Sequence, residues 1–179
     1  MTWQATAAAC VDVNAIPILI DVEPDTWCMD MDKAEAAITP RTKAMIVVHL
    51  YGCMPDMDRA RQICKKHNLF LIEDCAHQHG SFWKGKGVGS LGDAASFSFQ
   101  ESKVISSGEG GFVTVKDKRL FERLYSLRNC GRGYKGDMTN AIQSGNYRIT
   151  EWQAALLLGG LRRLEKQVTR RDDNAMYLN

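Results

Sequence analysis

Apolar residues in the first part of the chain occur as short continuous runs, separated by stretches with helical spacing. Three runs predict strands, at Ile16–Ile20, Ala44–Val48 and Leu69–Ile72. The second and third runs do not alternate with polar residues, which is typical of strands covered on both faces. Helix-forming residues lie between the runs, at Lys33–Ala37 and from Pro55 to Asn68. The order β-α-β-α-β predicts right-handed crossovers and a parallel sheet.

The pattern changes after Asp74, where glycine becomes frequent. Turn residues predict a loop over 77–92, and strands follow at Ala94–Phe99 and Gly111–Val115. Apolar spacing predicts a helix after Asp117. A polar loop over Asn129–Gly145 then leads to a helix opened by the capping box of Thr150 and Gln153. The predicted fold class is therefore α/β, with a mainly parallel sheet flanked by helices.

Composition narrows the function classes. The 179 residues suit one domain, and 23 basic against 21 acidic residues give a net charge of +2. Such a balance makes no electrostatic case for nucleic acid. No apolar run reaches the roughly 18 residues of a membrane span, and the N-terminus lacks the pattern of a signal peptide. The 6 cysteines are scattered without a CxxC pair. We therefore expect free thiols, a cytoplasmic location, and neither nucleic-acid nor membrane partners.

One motif has the spacing of a dinucleotide-binding loop. Residues 87–92, GVGSLG, fit G-x-G-x-x-G. In a dinucleotide fold this motif follows a strand and opens a helix. Here a basic, Gly-containing segment precedes it and a predicted strand follows it. The context favours a β-turn loop over a nucleotide site.

Candidate chemistry gathers around the end of the third predicted strand. Asp74, His77 and His79 could form a metal cluster, although no further ligand pair lies near them in sequence. Because ligands of open α/β sheets bind at the carboxyl ends of strands, Asp74 could instead be an electrostatic anchor. Lys103 closely follows another predicted strand. A lysine at a ligand-binding edge can act as a nucleophile towards aldehydes, whereas most lysines in such places are simply solvated.

Four stretches of the chain carry specific motifs that occur in the same order in one known protein family. They cover residues 2–30, 37–60, 71–113 and 145–165, and the third reads LIEDCAHQHGSFWKGKGVGSLGDAASFSFQESKVISSGEGGFV. In these stretches the chain resembles the DegT/DnrJ/EryC1/StrS family of pyridoxal-phosphate sugar aminotransferases. The resemblance implies the large domain of a fold-type-I enzyme and pyridoxal 5'-phosphate as cofactor.

The resemblance assigns roles to two central residues. Lys103 stands at the family's cofactor-bonding lysine, in the pattern S-F-S-F-x-x-x-K. As a free amine it would also move the substrate proton. Asp74 matches the aspartate under the pyridine nitrogen, where a carboxylate keeps that nitrogen protonated. A related dehydratase branch has His at the lysine position, so Lys103 argues against it.

Four further residues receive roles from the same resemblance. His77 matches a Gln or His that contacts the ring near its 3′ oxygen, and Ser98 matches a phosphate-binding serine. Trp3 matches the aromatic residue that stacks on the ring. Asn146, in GNYR, matches a residue that reaches the phosphate of the neighbouring subunit. This last role implies a homodimer with shared active sites.

The wording SFSFQESK, residues 96–103, resembles the branch that aminates keto-cyclitols. That branch implies scyllo-inosose or 2-deoxy-scyllo-inosose as acceptor, L-glutamine as frequent donor, and a place in aminoglycoside biosynthesis. The alternative acceptor is a nucleotide-linked keto-sugar.

The family's chains are longer than this one. We therefore expect residues 1–179 to be a partial cofactor-binding domain, without the N-terminal phosphate loop and the C-terminal small domain. A second alternative is an inactive remnant that acts only in binding or dimerisation.

Overall fold

A four-stranded sheet forms the centre of the computed structural model, which describes residues 1–134 and 142–178. Its strands are β1 (Ala44–Val48), β2 (Phe70–Asp74), β5 (Ala94–Ser98) and β6 (Gly111–Val115), in the spatial order β1-β2-β5-β6. A separate hairpin contains β3 (Phe82–Trp83) and β4 (Lys86–Gly87). The polar loop predicted over Asn129–Gly145 lies partly outside the described residues.

The strand directions place several chain segments at one edge. β1, β2 and β5 are parallel, and β6 runs antiparallel to β5. In the register, Val48 pairs with Asp74, and Asp74 pairs with Ser96. The carboxyl ends of three strands therefore meet, which confirms the mainly parallel sheet predicted from the sequence.

The helices carry the predicted end signals. They are α1 (Ala5–Asp12), α2 (Met31–Ala36), α3 (Met57–His67), α4 (Lys118–Arg128) and α5 (Glu151–Leu178). The side chain of Asp56 accepts two amide hydrogen bonds at the start of α3, and Asn68 ends it in the left-handed conformation. Thr150 and Gln153 form the predicted reciprocal capping box before α5.

The main core lies between α3 and the first two strands. Met57, Ala60 and Ile63 are fully buried on α3, and Val47 is fully buried on β1. Burial of a side chain such as Ile63 contributes about 1.5–3 kcal/mol. This packing holds the strands whose carboxyl ends carry the candidate chemistry.

The strand predicted at Ile16–Ile20 is wrong. This segment has no regular secondary structure in the described chain, and Ile16 and Leu19 are each 80% exposed. The apolar pattern is that of a buried strand, but a strand also needs a neighbouring strand that pairs with its backbone hydrogen-bonding groups. The prediction also missed α1, whose ATAAACVD sequence has no apolar stripe.

No helix in the described ranges combines the length and apolar character needed to cross a membrane.

Candidate active site

Two strand ends and one turn build the candidate site. Asp74 ends β2 and Ser98 ends β5, and Lys103 lies in the turn that follows β5. The Ser98 hydroxyl oxygen accepts the amide of Gln100 at 3.2 Å, and the amide of Lys103 donates to the Gln100 carbonyl at 3.0 Å. Ser98 therefore shapes the turn that carries Lys103, while its hydroxyl hydrogen remains able to donate to a ligand.

The Asp74 carboxylate is held from two sides. The hydroxyl of Thr6 on α1 donates to Oδ2 at 2.7 Å, and the amide of Ala76 donates to Oδ1 at 3.1 Å. These two hydrogen bonds fix the orientation of the carboxylate. The sequence analysis missed Thr6, because no local signal links positions that are 68 residues apart.

Lys103 is half-buried and close to two histidines. Its side-chain amine forms no hydrogen bond or ion pair with any residue in the part of the chain that the structure describes. Burial is the main cause that lowers the pKa of His77, and the positive charge of Lys103 lowers it further, against the effect of Asp74. Burial is the main cause that lowers the pKa of His79, and the charge of Lys103 lowers it further. The amine of Lys103, the Asp74 carboxylate and the His77 imidazole therefore share one region.

A tyrosine that the sequence analysis missed lies against this region. Tyr51 stacks on His77 with ring centroids 5.1 Å apart and an interplanar angle of 20°. Tyr51 occupies a tight turn in which Leu50 and Cys53 exchange two backbone hydrogen bonds, and its φ of +50° is left-handed. Its side chain is 71% exposed, so the phenol is available to a ligand. The Tyr-Gly dipeptide after a strand was the available signal for this turn.

Among the described residues, no hydrogen bond or ring contact joins Trp3 or Asn146 to Asp74 or Lys103. Trp3 is 74% exposed and lies three residues before Thr6. Asn146 is exposed on the segment before α5, where its side-chain oxygen accepts the amide of Arg148 at 3.2 Å. Their assigned roles require a cofactor and a second subunit, respectively, so both remain predictions.

The metal interpretation of Asp74, His77 and His79 is not supported. In the described ranges, the group close enough to share an ion consists instead of His49, Glu73 and Cys75. The ring of His79 lies among aromatic side chains, 5.8 Å from Phe97. The Glu73 carboxylate is occupied by four hydrogen-bond donors, so this second group is not a prepared metal site either.

The nucleotide interpretation of residues 87–92 is also overturned. The motif begins in β4, the second strand of a short hairpin, and leads into β5 without opening a helix. The amides of Gly89, Leu91 and Gly92 donate to the side chain of Glu73. Amides of the kind that would hold a phosphate are therefore already bound to a carboxylate of the chain itself.

The donor set fits pyridoxal phosphate. The cofactor needs an amine that can bond to its aldehyde, an anion for its ring nitrogen and donors for its phosphate. Lys103 offers an amine without a partner in the described structure, Asp74 offers an oriented carboxylate, and Ser98 offers a hydroxyl. All three lie at the carboxyl edge of the parallel strands, where open α/β sheets bind ligands.

Comparisons with known proteins agree with this geometry. A sequence profile of the DegT/DnrJ/EryC1/StrS aminotransferase family matches residues 1–179. The chain is 44% identical over 189 aligned residues to the L-glutamine:2-deoxy-scyllo-inosose aminotransferase of Streptoalloteichus tenebrarius, covering 100% of this chain and 45% of that protein.

Two solved structures have the same fold. The aminotransferase from Psychrobacter cryohalolentis superposes with a TM-score of 0.93 at 33% identity, covering 98% of this chain and 47% of that one. A provisionally named sugar aminotransferase from Streptococcus pneumoniae, solved in its PLP-form, gives a TM-score of 0.84 at 31% identity and covers 97% and 50%, respectively. The chain spans less than half the length of the curated relatives it matches.

Proposed function

Since the chain belongs to the DegT/DnrJ/EryC1/StrS aminotransferase family, we propose that it carries the cofactor-bonding part of a pyridoxal-phosphate-dependent aminotransferase. The strongest support is that Asp74 ends β2 next to β5, whose following turn carries Lys103, and that both charges act on His77. The family's aminotransferase activity would use both the amine of Lys103, which has no partner among the described residues, and the oriented carboxylate of Asp74.

The chemistry divides between the cofactor and the chain. Bound pyridoxal phosphate supplies an electron sink for substrate carbanion character. The Asp74 carboxylate keeps a proton on the ring nitrogen, and Thr6 holds that carboxylate in place. The Nζ of Lys103 would hold the cofactor and, as a free amine, would accept and return the substrate proton. The Ser98 hydroxyl donates to the phosphate.

His77 and Trp3 complete the cofactor's surroundings in this proposal. Because burial and Lys103 lower the pKa of His77, its ring is neutral at pH 7 and can lie beside the cofactor without adding charge. Trp3, which is exposed, would stack on the cofactor ring. Asn146 reaches the phosphate site of a second subunit in a homodimer.

We propose L-glutamine as the amino donor and a keto-cyclitol such as 2-deoxy-scyllo-inosose as the acceptor. The support is the 44% identity to the enzyme named for that pair, compared with 31–33% for the two solved aminotransferases. The proposed setting is aminoglycoside biosynthesis in the cytoplasm. There, buried thiols such as Cys64, whose pKa burial raises to about 11, stay reduced.

The first test is cofactor bonding by the purified protein. Pyridoxal phosphate should give a visible absorption band, and borohydride reduction should fix the cofactor mass on the peptide that contains Lys103. Lys103→Ala should lose both signals. The matched control Lys118→Ala removes an exposed lysine at the start of α4 and should keep them. Folded wild-type protein without a band, or a band that survives in Lys103→Ala, would contradict the proposal.

The second test concerns the substrates. Cofactor-loaded protein should transfer the amino group from L-glutamine to 2-deoxy-scyllo-inosose faster than to a nucleotide-linked keto-sugar. The reverse preference would favour the sugar-nucleotide branch. Cofactor bonding without transfer to either acceptor would favour a binding or dimerisation module.

A further inference from the structure

We propose that the buried His49–Glu73 pair, together with the amides of the 87–92 loop, is a positioning device that sets the orientation of Asp74. This inference rests on the proposed function, because it assigns Asp74 to the cofactor ring. It gives a role to the glycine motif that the cofactor site does not use.

The Glu73 carboxylate is enclosed by donors. Its Oε2 accepts Nε2 of His49 at 3.0 Å and the amide of Gly89 at 3.1 Å. Its Oε1 accepts the amides of Leu91 at 2.8 Å and Gly92 at 2.6 Å. Glu73 and His49 are both fully buried. Burial alone would raise the pKa of Glu73, but the hydrogen bonds from His49, Gly92 and Gly89 outweigh it and lower the pKa. Glu73 is therefore a buried anion.

The connection to Asp74 follows from strand geometry. Successive side chains of a strand point to opposite faces, so Glu73 and Asp74 hold β2 from its two sides. His49 follows β1 directly, and its amide donates to the Asp74 carbonyl at 3.1 Å. His49 thus binds both the backbone of Asp74 and the side chain of Glu73. A rotation of the β2 end would break contacts on both faces.

The loop geometry explains why glycines stand at two motif positions. A Cβ on Gly89, whose φ is +79°, would lie 2.6 Å from the ring of Phe97. A Cβ on Gly92 would lie 2.7 Å from the Leu71 carbonyl and 3.2 Å from Cγ of Glu73. The loop can therefore approach the carboxylate closely only with glycine at these two places.

The principal test variant is Glu73→Gln, which keeps the shape of the side chain and removes its charge. The NH2 group of the glutamine replaces one carboxylate oxygen. It therefore faces the N–H donors whose hydrogen bonds that oxygen accepted. Even if His49 moves its proton to Nδ1, which has no partner in the described structure, at least one backbone amide loses its acceptor. The exposed Glu165→Gln on α5 is the matched control.

Amide hydrogen exchange of the cofactor-free protein tests the device without relying on the proposed function. In Glu73→Gln at least one of the amides of Gly89, Leu91 and Gly92 should exchange about 10- to 100-fold faster, the range that loss of a charge-assisted hydrogen bond allows. The amide of Ala76, which donates to the Asp74 carboxylate, should also lose protection, while Ile63 in α3 keeps it. Unchanged protection at Ala76, or a uniform loss that includes Ile63, would overturn the inference.

Rescue at His49 separates positioning from volume. His49→Gln keeps a donor near the Nε2 position, whereas His49→Leu removes it. The first variant should retain Ala76 protection and the second should lose it. Equal behaviour of the two variants would overturn the role of the hydrogen bond.

An experiment with bound cofactor tests the effect on Asp74 directly. With bound 15N-labelled pyridoxal phosphate, the ring-nitrogen chemical shift of Glu73→Gln should move from the wild-type value towards that of Asp74→Asn. If Glu73→Gln is folded but less stable and its ring-nitrogen shift equals the wild-type value, the His49–Glu73 pair only stabilises the fold. That result would overturn the proposal. If the wild-type protein binds no cofactor, the proposed function fails, and the exchange experiment alone decides whether the pair orients Asp74.

Discussion

Substitution of one glycine in the 87–92 loop tests its packing against the sheet. Gly92→Ala would place a methyl group 2.7 Å from the Leu71 carbonyl and 3.2 Å from both the Ala94 carbonyl and Glu73 Cγ. The Leu71 carbonyl also accepts the amide of Asp93 at 2.8 Å, so it cannot move away without loss of that bond. Two of the three neighbours are backbone atoms of the central strands.

The expected cost lies at the upper end for overpacking, about 3 kcal/mol of unfolding free energy. For a chain of this size that corresponds to a melting temperature lower by about 6–12 °C. Gly87→Ala is the matched control in the same motif, because its nearest contact would be 3.9 Å from the Phe82 ring. We expect that control to stay within about 0.5 kcal/mol of wild type.

Urea unfolding followed by circular dichroism measures both variants, with the slope of the transition showing whether each remains two-state. If Gly92→Ala is as stable as Gly87→Ala, the close contact with Leu71 is not present in solution and the packing argument fails. A loop that binds nucleotides would behave differently. In that case both substitutions would weaken ligand binding without this difference in stability.

Three further predictions address the site and the surface. Thr6→Val removes the donor to Asp74 and should weaken pyridoxal-phosphate binding about fivefold by absorbance titration, the equivalent of one hydrogen bond; unchanged affinity would contradict the role of Thr6. Because burial lowers the pKa of His77, the unfolded chain takes up its proton first, and stability falls as pH drops through about 6.5. His77→Gln should therefore shrink the difference in urea midpoint between pH 7 and pH 5, and an unchanged difference would refute this. Glu35, whose pKa is lowered to about 2 chiefly by the hydrogen bond from Lys66, should stabilise the protein fully above about pH 4.5 and lose this effect as pH falls towards 2. Glu35→Gln should accordingly lower the urea midpoint at pH 7 and progressively less below pH 4.5; an equal effect at every pH would exclude the ion pair as the cause.

The parallel part of the sheet was predictable because its determinants are local. The apolar run at Ala44–Val48 is β1, the run at Leu69–Ile72 overlaps β2, and the caps at Asp56 and Asn68 bound the intervening helix. Local apolar character could not decide whether Ile16–Ile20 finds a strand to pair with, since pairing depends on distant residues. The same limit applies to α1, which has no apolar stripe and no buried residue.

The candidate site was predictable only in part, for a similar reason. Strand ends and a resemblance to known motifs identified Asp74, Ser98 and Lys103. The contact between Thr6 and Asp74 joins distant parts of the chain, and the stack of Tyr51 on His77 depends on a turn with left-handed backbone. Such contacts depend on the tertiary structure, and neither residue type nor sequence spacing predicts them.

The glycine motif at residues 87–92 correctly indicates a group of anion-binding amides, but it suggests the wrong anion. Its spacing suggests backbone amides that converge on an anion, and the amides of Gly89, Leu91 and Gly92 do converge on one. The anion is the carboxylate of Glu73, whose burial would be costly without such donors. A local motif specifies the donors, whereas the fold decides which anion meets them. Because that anion is adjacent to Asp74 in the chain, the donors act next to the cofactor site without touching the cofactor.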